Sequence, residues 1–196
     1  MVTAFKKIPY SEAADRIEDA SVLLYRPWLR PASIIIAMVG RTRYSHGAMA
    51  ARWGEDVMCL EQLQTTGGRA TCFKEQVERS WGRWDVYRVV PGPKPFDAAK
   101  AVQAMRRLTG TPYGWWSLIG VTLRHTPFLR LFFPTSMNDQ ANGKHRWRFC
   151  SDAVSWALRV GGFDPVPNLA DRATEPGDLA RSSGLEYVFT PIPDPK

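Results

Sequence analysis

Three residue types that can act together in nucleophilic chemistry occur in the order His46, Glu61, Cys150. Cys150 opens the stretch Phe149-Cys150-Ser151-Asp152-Ala153-Val154-Ser155-Trp156-Ala157-Leu158, where Ala153, Val154, Ala157, Leu158 and Val160 share one face at helical spacing. A cysteine in the first turn of such a helix meets unpaired backbone N–H groups and the positive end of the helix dipole, and both favour thiolate. Thiolate is the nucleophilic form of cysteine. It requires a base to take up and return its proton, and a polar group to orient that base. His46 supplies the first and Glu61 the second. The chemistry implied is acyl transfer to sulfur followed by hydrolysis. No metal or cofactor is expected, because three histidines and three dispersed cysteines show no zinc-ligand spacing.

The elements around these residues have to bring them together. His46–Trp53 and Asp56–Leu63 read as two strands flanking the turn Gly54-Glu55, a hairpin. Side-chain alternation puts Val57, Cys59, Glu61 and Leu63 on one face of the second strand. Glu61 can then reach His46 across the pair and leave the other imidazole nitrogen for Cys150. Gln62 and Gln64 are lesser candidates for the orienting role. The oxyanion is expected to meet the Cys150 backbone N–H and a second donor, the Tyr25 hydroxyl or a backbone group. Tyr44 and Ser45 beside the base, and Trp115 and Trp116 downstream, complete the candidate substrate contacts.

Elsewhere the spacing predicts a helix over Ser11–Asp19 with Ser11 as its N-cap and a buried strand over Ser21–Arg26. Pro31–Val39 reads as a helix, although Ile34-Ile35-Ile36 also suits a strand. Gly67-Gly68 reads as a turn before a strand at Arg69–Phe73. A short helix over Lys74–Arg79, a strand over Trp84–Val90 and a linker at Pro91–Pro95 follow. Phe96–Leu108 is a helix ending at Gly110. Tyr113–Phe133 is rich in aromatic residues but broken by Arg124, His125, Pro127 and Arg130, so it is not a membrane span. A buried helix with an aromatic edge is the favoured reading of it; a segment lying against lipid is the other. Ser136–Lys144 reads as a polar loop, Glu175–Ala180 as a helix start and Leu185–Thr190 as a last strand. One domain over 1–196 accounts for the length.

The net charge of +7 and pI of about 9.6 suit an anionic partner, either cell-wall polymer or phospholipid headgroups. Nucleic acid is not the expected partner, because no zinc-finger spacing, basic heptad or RNP-like aromatic pattern occurs. Cys59, Cys72 and Cys150 cannot all pair within one chain, which fits a reducing compartment or a free reactive thiol. Met1–Lys7 has neither the apolar core nor the cleavage site of a signal peptide. The expectation is a cytoplasmic or phage-associated protein rather than a classically secreted one.

Tyr44-Ser45-His46-Gly47-Ala48-Met49, then Leu60-Glu61, then Phe149-Cys150-Ser151-Asp152-Ala153-Val154 resemble the circularly permuted branch of the NlpC/P60 superfamily. These are papain-like cysteine hydrolases of the YiiX type, related to the lecithin retinol acyltransferase group. Asp19–Arg26 resembles that family's first strand, Thr111-Pro112-Tyr113-Gly114 its G-x-x-Y stretch, and Glu175–Ala180 its closing segment. The resemblance implies an α+β fold: a small antiparallel sheet packed by helices, with the nucleophile at the N-terminus of a helix. It implies Cys150 as nucleophile, His46 as base and Glu61 as orienting residue, acting on an amide bond of a peptidoglycan-type peptide. Two rivals remain: a lipid acyl hydrolase or acyltransferase with Trp115 and Trp116 in an acyl groove, and a non-catalytic binding module. Asp152 stands where the family usually has Glu, and Pro134–Arg148 is longer and more basic than the family pattern.

Overall fold

Runs of apolar and small residues between turns form seven strands of one sheet, in the order β1-β7-β6-β2-β3-β4-β5. The computed structural model describes residues 6–27, 41–114, 147–167 and 169–195. Its strands are β1 (Lys7–Pro9), β2 (Val22–Tyr25), β3 (His46–Trp53), β4 (Asp56–Leu63), β5 (Gly67–Cys72), β6 (Trp84–Val89) and β7 (Leu185–Ile192). The described helices are α1 (Tyr10–Ala14), α2 (Phe73–Ser80), α3 (Ala98–Arg107), α4 (Cys150–Val160) and α5 (Pro176–Arg181), with a 3-10 turn at Asp171–Ala173. The class is α+β, as expected, and every strand pair is antiparallel except β1 with β7. None of the described helices is long and apolar enough to cross a membrane.

Strand β3 is small-residued and buried along most of its length, and it has helices on both sides. On one face Leu24, Met49, Ala51 and Leu60 pack with Val102 and Met105 of α3, Val154 and Leu158 of α4, and Leu179 of α5. On the other, Leu23, Ala48, Ala50, Val57 and Cys59 pack with Tyr10 and Ala13 of α1 and Phe73 and Val77 of α2. Sheets covered on both faces need apolar residues at consecutive positions, and Ala48-Met49-Ala50-Ala51 supplies them.

Several expectations shift. The first helix is Tyr10–Ala14, not Ser11–Asp19: Pro9 stands at its N-cap, and Ser11 sits inside it with its backbone N–H and hydroxyl bonded to Asp194 at 2.8 Å. Strand β1, unforeseen, pairs in parallel with β7 from Thr190, the expected end of that strand, onward to Ile192. Helix α3 starts later than Phe96 because Asp97 caps it, accepting the Lys100 N–H at 2.9 Å. Gly67 and Gly68 are not a turn but the first residues of β5. Their missing side chains admit the backbone that follows α3, with Gly68 N–H donating to Thr111 O and Gly110 N–H to Gly68 O. The helix expected at Pro31–Val39, the segment from Trp115 onward and the loop at Ser136–Lys144 lie outside the described residues.

A Cβ built on Gly68 would stand 1.9 Å from the Leu108 carbonyl oxygen, a backbone atom that cannot rotate away. Gly68→Ala is expected to cost about 1–3 kcal/mol, as overpacking does, measured as a lower urea midpoint. Gly92→Ala, with nothing within 4 Å of the added carbon, is expected to stay within about 0.5 kcal/mol.

Candidate active site

His46 begins β3 directly opposite Tyr25, at the end of the sheet where β2 stops and β6 starts. Its ring stands edge-to-face on Trp84, 6.0 Å between centroids, and Trp84 also packs on Tyr25 at 5.0 Å. The β3–β4 register pairs Ala48 with Glu61, so Glu61 lies one diagonal step from His46 on the same face. His46 Nε2 and Glu61 Oε2 are 2.8 Å apart. Directly across from Glu61 on β5 is Arg69, whose Nε and Nη2 donate to Glu61 Oε1 at 2.9 and 2.7 Å.

Cys150 comes to this group from the other direction, as the first residue of α4. Helices α3 and α5 are capped by side chains, but α4 has no side-chain cap. Its first N–H groups are thus left for other acceptors. The Cys150 sulfur accepts from the backbone N–H of Gly47 and of Ser151, and it hydrogen-bonds the His46 ring. Nε2 is bound to Glu61, so the nitrogen facing sulfur is Nδ1. The hydroxyl of Tyr113 also contacts the sulfur, accepts the Cys150 backbone N–H and bonds Gln64. Thiol, base and orienting carboxylate, distant in sequence, therefore form one chain of contacts.

The helix is held in that position by polar contacts that are themselves buried. Ser151 donates to Thr174 O and Ser155 to Asp171, each at 2.7 Å. Arg148 pairs with Asp152 in the first turn and lies over the Trp156 ring at 4.5 Å. Gly114 N–H donates to Arg148 O at 3.0 Å, which ties the Tyr113 segment to the residues before Cys150.

Charge follows from this geometry. Burial by itself would raise the Cys150 pKa, but the His46 charge and hydrogen bond, then the Gly47 and Ser151 N–H groups, bring it below the ordinary thiol value. Burial by itself would lower that of His46; the Cys150 charge and hydrogen bond, then Glu61, override it and raise the imidazole to about 10. For Glu61 burial is again opposed, first by His46 and then by Arg69, and its pKa is lowered. Both shifts favour the same ionic pair, thiolate with imidazolium. Cys59, fully buried on β4, is pushed the other way by desolvation and then by the Glu61 charge.

The remaining sequence candidates are placed differently. Tyr25 flanks His46 and stacks on Trp84, whereas the hydroxyl beside the sulfur belongs to Tyr113. The Tyr44 hydroxyl is turned to Asp85 and Tyr87, 2.8 Å from each. Ser45 is buried, its N–H bonded to Tyr25 O. Gln62 points away from the imidazole and donates to Leu108 O and Thr111 Oγ1. Trp115 and Trp116 lie outside the described residues. Two residues were missed, Arg69 and Tyr113. Counting the β4–β5 hairpin back from its turn would have set Arg69 opposite Glu61, had Gly67-Gly68 not been taken for that turn. Tyr113 lies within the Thr111–Gly114 stretch that resembles the family's G-x-x-Y, but the sequence reading assigns it no role at the thiol.

No protein-family model and no curated protein matches the chain. The fold is similar to that in the crystal structure of the metalloprotein yiiX from Escherichia coli O157:H7: TM-score 0.60 and 15% identity, covering 89% of this chain and 98% of that one. At that identity the likeness is one of fold. Among the described residues the donors at this site do not form a metal cluster. Only the Cys150 sulfur and the His46 ring converge, both Glu61 oxygens are bonded to His46 and Arg69, and no group of three or more metal-binding side chains occurs among the described residues.

A thiol with a lowered pKa beside an imidazolium is expected to react with iodoacetamide well below about pH 8, where ordinary thiols are slow. Because the imidazole loses its proton as pH rises through about 10, the paired state should span the interval between the two pKa values. Site-resolved mass spectrometry should find Cys150 labelled and Cys59 untouched in the folded protein. His46→Ala should slow Cys150 labelling about tenfold or more near neutral pH.

Proposed function

We propose that the protein is a cysteine hydrolase of the permuted NlpC/P60 kind, cleaving an amide bond in a peptidoglycan-type peptide through a thioester acyl-enzyme. The observation that carries this reading is the hydrogen bonding of the Cys150 thiol, at an uncapped helix N-terminus, to an imidazole whose far nitrogen is held by a buried carboxylate. A structural cysteine has no need of that arrangement. The order His46, Glu61, Cys150 and the likeness in fold to yiiX are consistent with the family.

In this mechanism the Cys150 thiolate attacks the carbonyl carbon, and the negative charge moves to the carbonyl oxygen. The Cys150 backbone N–H and the Tyr113 hydroxyl, in contact with one another beside the sulfur, would serve as donors to that oxygen. Tyr113 thus takes the role that the sequence suggested for Tyr25. His46 Nδ1 gives its proton to the leaving amine as the C–N bond breaks, leaving the acyl group on sulfur. The neutral imidazole then takes a proton from water, hydroxide adds to the thioester, and the C–S bond breaks to return thiolate and imidazolium.

Digestion of purified muropeptides, followed by mass spectrometry, tests the substrate. Cys150→Ala should abolish cleavage while the protein still folds, and Cys59→Ala should leave cleavage nearly intact. His46→Ala should cost about 100-fold or more, and Glu61→Gln less than that. Loss of cleavage in the Cys59 variant at normal stability would move the nucleophile elsewhere. Release of fatty acid from phospholipid vesicles, with no action on muropeptides, would make the acyl bond an ester.

A further inference from the structure

Glu61 is an almost fully buried carboxylate with its two oxygens divided between two partners. Oε2 is held by His46 Nε2, while Nε and Nη2 of Arg69 both converge on Oε1. A buried carboxylate is costly unless compensated. In the resting enzyme two cations compensate it: the imidazolium and the guanidinium. One of them disappears during the reaction. Once the acyl group is on sulfur, the thiolate charge is gone and His46 has given up its proton.

The neutral ring then carries one N–H, and its position decides whether the thioester can be hydrolysed. Only the tautomer with hydrogen on Nε2 leaves a bare Nδ1 facing the acyl group. That tautomer needs an acceptor at Glu61 Oε2. A protonated Glu61 would instead donate to Nε2, move the ring hydrogen to Nδ1 and block the base. Among the described residues the charged and titratable groups facing Glu61 are His46 from β3, Arg69 from β5 and, on its own strand, Cys59. Cys150 of α4 reaches it only through His46. With His46 neutral and Cys59 a thiol, Arg69 is the cation left.

We propose that Arg69 is a positioning residue for the second half of the reaction, keeping Glu61 an ionised acceptor so that the neutral His46 presents Nδ1 to the attacking water. The inference rests on the acyl-enzyme reading above. In the step concerned, one water proton goes to Nδ1, the oxygen bonds the thioester carbon, and the C–S electron pair returns to sulfur. The acyl group leaves as a carboxylic acid. Arg69 touches neither substrate nor sulfur; it acts through Glu61.

p-Nitrophenyl acetate, an activated ester used as a probe, separates the two halves: the burst of nitrophenolate reports acylation and the steady phase deacylation. In Arg69→Met, deacylation should fall about tenfold or more while acylation falls less. Acetyl-Cys150 should accumulate in the mass spectrum. The acid limb of deacylation should move to higher pH, since a buried carboxylate without its cation protonates more readily. Arg69→Lys, which restores charge without the two-pronged contact, should return the limb most of the way. If Arg69→Met leaves deacylation and its acid limb unchanged, or slows both phases equally, the inference is wrong. Should Arg69→Met fail to fold, as read by its urea midpoint, Arg69→Gln, which keeps polar donors without the charge, decides: an acid limb moved to higher pH with deacylation slowed more than acylation supports the role, and an unmoved limb or equal slowing of both phases overturns it. A wild-type protein that alkylates at Cys150 as expected but neither releases nitrophenolate nor forms acetyl-Cys150 in the mass spectrum would overturn the acyl-enzyme reading itself, whatever Arg69 does.

Discussion

The docking of an uncapped helix N-terminus against the first residues of β3 is the contact on which the rest of the site depends. A helix start leaves N–H groups without partners, and burial makes that costly unless something accepts from them. In α4 the acceptors are the Cys150 sulfur, which takes the Ser151 N–H, and the Tyr113 hydroxyl, which takes that of Cys150. A serine or aspartate cap would satisfy the helix and compete for the groups that stabilise thiolate. The helix is secured elsewhere, through Ser151 to Thr174, Ser155 to Asp171 and Arg148 to Asp152. The first turn is thereby left to chemistry.

Two buried carboxylates at this end of the sheet show how partners decide charge. Glu61 has two cationic partners, and its pKa is lowered in spite of burial. Asp85 is wholly buried and is raised: desolvation prevails over hydrogen bonds from Thr190 and Tyr44 and a contact with Arg26. Hydroxyl donors serve a carboxyl in either protonation state, whereas a guanidinium favours the ionised one. Asp85 accordingly suits a fixed polar tie between β6, β7 and the chain entering β3. Glu61 suits a partner for a base whose own charge changes during turnover.

The sheet has reasons of its own to be covered on both faces. The nucleophile helix needs one face, where Val154 and Leu158 meet Met49 and Leu60. The His46–Glu61–Arg69 row occupies the other side of the same strands, above Trp84, Phe73 and α2. Cys150 meets that row only because α4 begins at the sheet's rim, where His46 is the first residue of its strand. Had the base been placed in mid-strand, the sheet itself would separate it from the thiol.

Read by itself, the sequence determined the parts whose signals are local. Alternation along Asp56–Leu63 put Glu61 on the face of Cys59, Gly54 marked the hairpin, and helical spacing after Cys150 set the thiol in a first turn. These depend on period and turn chemistry over a few residues, and such patterns survive in one dimension. Short elements fared worse, because β1, the early end of α1 and the place of Gly67-Gly68 in β5 are set by partners far along the chain. Arg69 and Tyr113 became site residues only through tertiary structure. One is opposite Glu61 by register, and the other is held beside the sulfur by the Gly114–Arg148 contact. A hydrogen bond between distant segments leaves no trace in the local spacing of either, so the fold alone could decide which guanidinium and which hydroxyl complete the site.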